Sequence, residues 1–242
     1  MPLRAGRKWM LLVTIAVLAA LASVAVILEM RAVSDVTPSP DEIELPSPRT
    51  TGEMSVEETI ALRRSVRRFA NEPLTLQELS QLLWAAQGIT DPEAGKRAVP
   101  SAGMTYPLEI YVAVGESGVS ELVAGVFHYS PHEHSLSKVK SGDVRDELCA
   151  AAVGQTWVRA APVSIVIAAV FERTEAKYGE RGERYVFMEA GHAAQNLYLQ
   201  ATALGLGMTV VGAFLDDDVR ELLSMPDDHA PLYVVPIGRR AS

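Results

Sequence analysis

Among 242 residues there is one cysteine, Cys149. That count excludes an intrachain disulfide framework and a CxxC zinc site, and a lone thiol is more often buried and inert than reactive. Basic residues are scarce: 22 Lys and Arg face 30 Asp and Glu, a formal net charge of −8. A nucleic-acid-binding domain is basic overall or carries a basic face, so no nucleic-acid partner is expected. Metal ligands are sparse too. Glu189 and His192 form half of a di-iron helix pair whose second half is missing, and His132-Glu133-His134 lacks a partner set, so no metal is expected. No internal repeat is visible. The 48% apolar and 21% charged composition is that of a globular chain and excludes disorder, collagen and coiled coil.

What is present divides the chain into three stretches. Arg4, Arg7 and Lys8 precede a run free of charge from Trp9 to Leu28. Twenty apolar residues span about 30 Å as a helix, the thickness of a bilayer core. Residues 1–30 therefore read as a membrane anchor or a signal peptide, with the run's length favouring a transmembrane helix over cleavage near Ala22 or Ala25. The basic flank predicts a domain outside the cytoplasmic membrane, secreted if cleavage occurs. Residues 31–54 hold Pro38, Pro40, Pro46 and Pro48 among small polar residues and read as an extended linker. Residues 55–242 are the expected folded domain.

Within that domain, Ser55 with Glu58 and Thr75 with Glu78 are capping boxes that open two helices. Residues 108–114 (LEIYVAV) predict a strand after Pro107. Residues 126–129 and 135–139 predict an irregular hairpin. The unbroken apolar run 163–170 predicts a strand buried on both faces. Residues 186–204 predict a long helix ended by Gly205, and 208–214 and 232–237 predict two more strands. The order of elements suggests an α+β fold around one sheet.

Four segments carry candidate chemistry. Arg63-Arg64-Ser65-Val66-Arg67-Arg68 concentrates four guanidinium groups, whose forks suit phosphate. Residues 97–107 place small residues between Pro100 and Pro107, where a ligand can approach the backbone and Ser101 can hydrogen-bond to it. Residues 177–185 form a charged loop leading to a helix with Glu189, His192 and Asn196 on one face, read as a buried polar cluster. Arg239 and Arg240 end the last strand. As plain structure, the same segments are a solvated basic turn, a tight connection, a surface loop and a basic terminus.

Taken together, RRSVRRF, PSAGMTYPLEIYV, GLGMTVVGAF and PLYVVPIGRR resemble the FMN-dependent nitroreductase family. LLWAAQGIT, AVGQTWVRAAP, KYGERGERY and EAGHAAQNLYLQA are similar to its azoline-dehydrogenase branch, the SagB type, which acts on thiazole- and oxazole-modified peptides. The resemblance spans about residues 55–240. It implies a nitroreductase-like α+β fold, a mostly antiparallel sheet flanked by helices, that forms a homodimer with an FMN in each interfacial cleft. It implies that Arg63, Arg64, Ser65 and Arg67 hold the phosphate and the ring's polar edge. Pro100, Ser101, Ala102 and Gly103 line the flavin from the partner subunit, Val211 and Gly212 face the ring, and Arg239 with Arg240 closes on the phosphate. Lys177 with Tyr185, or with Tyr178, matches the branch's lysine and tyrosine that take the substrate proton, and a buried lysine of lowered pKa would serve as that base. The implied activity is flavin-mediated hydride or electron transfer to or from a small molecule or a peptide, including dehydrogenation of an azoline-type peptide. The alternatives are a non-catalytic flavin-binding module and a membrane-anchored interaction module.

Overall fold

The computed structural model describes residues 42–241. A short strand, β1 (Glu42–Glu44), comes first, then helices α1 (Val56–Leu62) and α2 (Leu76–Gln87). A small ribbon, β2 (Ile89–Asp91) and β3 (Lys96–Arg97), leads to a 3-10 turn at Ala102–Met104 and to β4 (Leu108–Val114). The hairpin β5 (Gly125–Ser130) and β6 (Ser135–Ser141) is followed by α3 (Arg145–Ala151), α4 (Thr156–Ala160) and β7 (Val163–Ala169). Then come α5 (Glu172–Tyr178), α6 (Arg181–Ala203), β8 (Leu206–Met208), α7 (Asp216–Leu222) and β9 (Ala230–Arg239).

Seven strands form one sheet in the order β1-β6-β5-β4-β7-β9-β8, and every neighbouring pair is antiparallel. Its two faces follow from the strand period of two. Ile110, Val112, Ile165, Ile167, Val235 and Ile237 pack on one side with α2 and α6. Tyr111, Ala113, Val166, Ala168 and Val234 pack on the other with α3 and α7. Helices cover both faces, so the central strands read as continuous apolar runs instead of alternating ones. Both capping boxes form, at Ser55–Glu58 and Thr75–Glu78.

Three expectations need correction. The linker reading of 31–54 fails for its C-terminal part. Glu42–Glu44 pairs with β6, Leu45 is buried, and the Arg49 backbone exchanges hydrogen bonds with the Gln81 amide. The carbonyl of Pro46 receives the Ser80 hydroxyl and the His134 ring. Proline composition correctly signals an extended backbone, but one edge strand, the buried Leu45 and the hydrogen-bonded backbone of Pro46 and Arg49 suffice to hold it. Leu45→Ala is expected to destabilise the domain by about 2–3 kcal/mol, measured by chemical denaturation of the full chain.

The expected strand 208–214 stops at Met208. Its next ladder partner on β9 is Pro236, which accepts from the Thr209 amide but has no N–H to return. The chain rejoins β9 only through an isolated bridge of Val211 to Val234. Finally, the charged loop 177–185 is two helices. Gly179, at φ 59°, ends α5, and α6 begins at Arg181, five residues ahead of the expected start. Among the described residues no helix is long and apolar enough to cross a membrane. The run from Trp9 to Leu28 lies outside the described residues.

Candidate active site

The loop between β3 and β4 is laced to α5 along a single helix face. The Val170 amide donates to the Pro107 carbonyl (2.8 Å), and Arg173 Nη1 donates to the Tyr106 carbonyl (3.2 Å). The hydroxyls of Thr174 and Thr105 meet at 2.8 Å, and Lys177 Nζ donates to the Gly103 carbonyl (3.1 Å). Positions 170, 173, 174 and 177 follow helical spacing, while their partners run backwards from 107 to 103.

At the end of this lacing, Gly103 sits at φ 60°. A Cβ there would lie 2.6 Å from Lys177 Nζ and 2.6 Å from Tyr178 Oη, so the ammonium and the phenol converge on the same spot. Tyr185 does not. It packs edge-on against Tyr178 at 5.1 Å and accepts from Arg181 Nε. The structure thus separates the two candidate tyrosines and places Tyr178 at the loop. Lys177 is exposed in this chain, contrary to the expected buried amine.

Beneath the loop lies a buried polar group. Glu189 on α6 is 2% exposed, and its Oε1 has no hydrogen-bond partner. Burial pushes its pKa up to about 7, against the opposing pulls of the Ser101 hydroxyl and Arg97. Arg97 itself is fixed by Gln87 Oε1 (3.0 Å) and by the face of Tyr106 (4.5 Å). The expected cluster on α6 is therefore only partly right. Glu189 is buried and Asn196 bonds to the carbonyls of Ala85 and Ala98, but His192 faces solvent.

A second group secures α5 from the sheet side. Glu109 on β4 binds Arg173 (2.6 Å) and His128 (2.7 Å). Burial pushes the Glu109 carboxyl up, but His128 and Arg173 outweigh it and hold it below its ordinary range.

The arginine cluster follows α1 and runs beside β8. Ser65 forms a parallel bridge with Met208, and the Val66 amide donates to the Met208 carbonyl. The Ser65 hydroxyl meets Tyr198 Oη at 2.9 Å, and Tyr198 Oη accepts from the Val210 amide. Arg63 lies over the Tyr198 ring (5.0 Å) and Arg67 over Trp157 (5.4 Å). Arg64 folds back onto the Ala61 and Arg63 carbonyls. Among the described residues none of the three meets a carboxylate. Trp157 Nε1 is buried without a partner beside them. Uncompensated guanidinium groups in an acidic chain suit a dianionic phosphate, and aromatic side chains with orphaned donors suit a flat heterocycle. These residues fit a phosphorylated flavin.

The C-terminal arginines split. Arg239 is engaged in a two-pronged pair with Glu78 (2.7 and 2.9 Å), on α2. Arg240 is on the other side of the strand, with Nε on the Leu206 carbonyl and its stem over Gly207 near Val66. Arg240, not Arg239, joins the arginine cluster. Val211 buries its side chain in the second core cluster, and Gly212 beside it is exposed. Ser101 and Ala102 are half-buried, and Pro100 and Gly103 are exposed.

The two halves of the site both rest on α6, at Glu189 and at Tyr198. Nine residues of helix separate them by about 13 Å. Tyr198 and Glu109 escape sequence reasoning. Tyr198 sits at a helical position that reads as core, and Glu109 matters only once β4, β5 and α5 are assembled. Arg97 was visible at the edge of the small-residue segment, but its role under the loop was not.

The fold and site define a flavin-dependent oxidoreductase of α+β architecture. The nitroreductase family model matches residues 60–239, and the chain belongs to that family. A Methanocaldococcus jannaschii protein named as a nitroreductase is 49% identical over 82% of this chain and 96% of its own length. A crystal structure of a protein named as a nitroreductase from Ralstonia eutropha superposes with TM-score 0.73 at 34% identity, covering 86% of this chain and 93% of that one. A chain of the Escherichia coli microcin synthetase McbBCD complex, bound to truncated pro-MccB17, gives TM-score 0.65 at 25% identity, covering 86% and 79%.

Proposed function

We propose that the chain is an FMN-dependent oxidoreductase that works as a twofold dimer and acts on a modified peptide or a small molecule. One observation carries this reading. Arg63 of a cluster that meets no carboxylate among the described residues lies over Tyr198 of α6, while the loop laced to α5 brings Lys177 and Tyr178 together at Gly103. Bound flavin would supply the two-electron redox chemistry. Arg63, Arg64, Arg67 and Arg240 would hold its phosphate and polar edge. Lys177 and Tyr178 lie on the solvent side of the loop, where a substrate that gives up a hydride can also hand over a proton.

The dimer reading rests on exposed apolar side chains. Val56, Ile60 and Leu62 on α1, Phe187 and Met188 on α6 and Met104 on the loop are all at least half-exposed or nearly so. Exposed apolar side chains on these elements are what a subunit interface would cover. A second copy seated there would also cover Lys177. The peptide reading follows the likeness to the microcin synthetase chain, and an azoline-type substrate is its natural form. We further propose that residues 1–30 are a membrane anchor, on the strength of the charge-free run, with the domain outside, on the strength of the basic flank.

The test is an absorption spectrum of the purified full chain before and after adding FMN. Flavin bands that survive desalting are the expected result. A colourless chain that fails to retain added FMN overturns the reading.

A further inference from the structure

Tyr198 carries a hydroxyl at a helix position that otherwise reads as core, and that hydroxyl has two neighbours. The Val210 amide lies 3.3 Å from Tyr198 Oη and can only donate, so it occupies an oxygen lone pair. The Ser65 hydroxyl lies 2.9 Å from the same atom. A phenol has one proton to give, and Arg63, over the ring at 5.0 Å, offers no acceptor. Among the described residues, Ser65 Oγ is therefore the acceptor for the phenolic proton. Its own proton is left to point away from Tyr198. Three donors then run in one direction, from backbone amide to phenol, from phenol to serine, and from serine outward. Donors chained in this way polarise one another.

The outward end lies among cations. Ser65 is exposed, and its backbone is fixed by the bridge to Met208 and by the Val66 amide on the Met208 carbonyl at 2.8 Å. Arg63 and Arg67, two residues to either side, rest on aromatic rings and meet no carboxylate among the described residues. A hydroxyl with a fixed outward proton beside free guanidinium groups is complementary to an anionic oxygen and mismatched to a ligand N–H.

We propose that Tyr198 is a positioning residue that turns Ser65 into a one-way hydrogen-bond donor for an anionic phosphate oxygen. The inference rests on the oxidoreductase reading for the identity of the ligand, a flavin phosphate. The donor chain itself does not depend on that reading. Tyr198 acts through Ser65, so its effect is confined to the anionic end of the ligand.

The test measures binding of FMN, riboflavin and inorganic phosphate to the full chain in four forms: native, Tyr198→Phe, Ser65→Ala and the double variant. Flavins are followed by fluorescence titration and phosphate by calorimetry, with denaturant melts to show that each form is folded. Tyr198→Phe keeps the ring under Arg63 and removes only the hydroxyl. FMN affinity is expected to fall about tenfold in Ser65→Ala, the loss of one charge-assisted bond. It should fall about threefold in Tyr198→Phe, because the serine hydroxyl regains its three staggered positions. Phosphate should follow FMN. Riboflavin, which has the ring but no phosphate, should bind all four forms equally. The double variant should lose no more than Ser65→Ala, as expected of a residue that acts through its partner.

Equal weakening of FMN and riboflavin in Tyr198→Phe would make Tyr198 a packing residue and overturn the inference. Native FMN affinity in either single variant overturns it too, as does a double variant in which the two losses add. A chain that binds phosphate with this dependence but binds no flavin would sink the oxidoreductase reading and leave the donor chain standing. Flavin binding that ignores Tyr198→Phe does the reverse. A native chain that binds none of the three overturns both.

Discussion

Replacing Gly103 with alanine is expected to leave the fold nearly intact and to lower turnover by about a hundredfold or more. A Cβ at this position meets Lys177 Nζ and Tyr178 Oη at 2.6 Å and Lys177 Cδ at 2.9 Å. These atoms are near or at the ends of flexible side chains, so they can retreat cheaply. Holding alanine at φ 60° costs about 1 kcal/mol, the usual penalty for a left-handed residue with a Cβ. Stability therefore drops little. Geometry suffers more, because the ammonium and the phenol must both move by an ångström or so, and displacements of that size cost about 100-fold in rate. Steady-state kinetics, with retained flavin and thermal denaturation as controls, separates the two effects. Full activity in Gly103→Ala would remove Lys177 and Tyr178 from the chemistry.

The second large effect concerns the arginines. Arg63→Ala should weaken FMN retention by one or two charge-assisted hydrogen bonds, each about 1.5–3 kcal/mol, or roughly tenfold to a hundredfold in Kd per bond. Arg239→Ala should behave differently although it belongs to the same basic signature. Its guanidinium is committed to Glu78, whose side chain is 13% exposed and also caps α2 through the Thr75 amide. Loss of Arg239 leaves that carboxylate without its main partner, at a cost of about 1–3 kcal/mol of stability, while flavin affinity stays close to native. Fluorescence titration with FMN and denaturant melts on the two variants give a crossed pattern. If Arg239→Ala also abolishes retention, the pair with Glu78 must open when the cofactor binds.

Arg239 also shows where sequence reasoning ends. The basic pair after Gly238 was legible as a candidate phosphate ligand. Alternation along β9 then sends neighbouring side chains to opposite sides, and only the placement of Glu78 shows which one is free. The central strands, both capping boxes and the long helix were legible because burial on two faces, caps and Gly205 are local signals. The failures have local causes as well. Pro236 silences a ladder that the apolar stretch at 208–214 invites. Gly179 divides a charged segment into two helices, although its composition reads as loop. The choice between Tyr178 and Tyr185 depends on a turn of helix that no spacing rule supplies. Glu109 acquires meaning only from His128 on the next strand and Arg173 on α5.

The docked segment after residue 41 bears on how the chain responds to force. Tension arriving from the N-terminal side reaches the sheet through three residue pairs between β1 and β6 and the bond from the Leu45 amide to the His134 carbonyl. The glycine loop and α5 hang instead from β4 and β7, in the middle of the sheet. Two strands, β6 and β5, stand between them and the loaded edge. A tug on the leading segment would peel β1 and free Pro46 from Ser80 and His134 before any strain reached Lys177. Under such a load the rim of the sheet would yield first, while the arrangement of Lys177 and Tyr178 around Gly103 stays set.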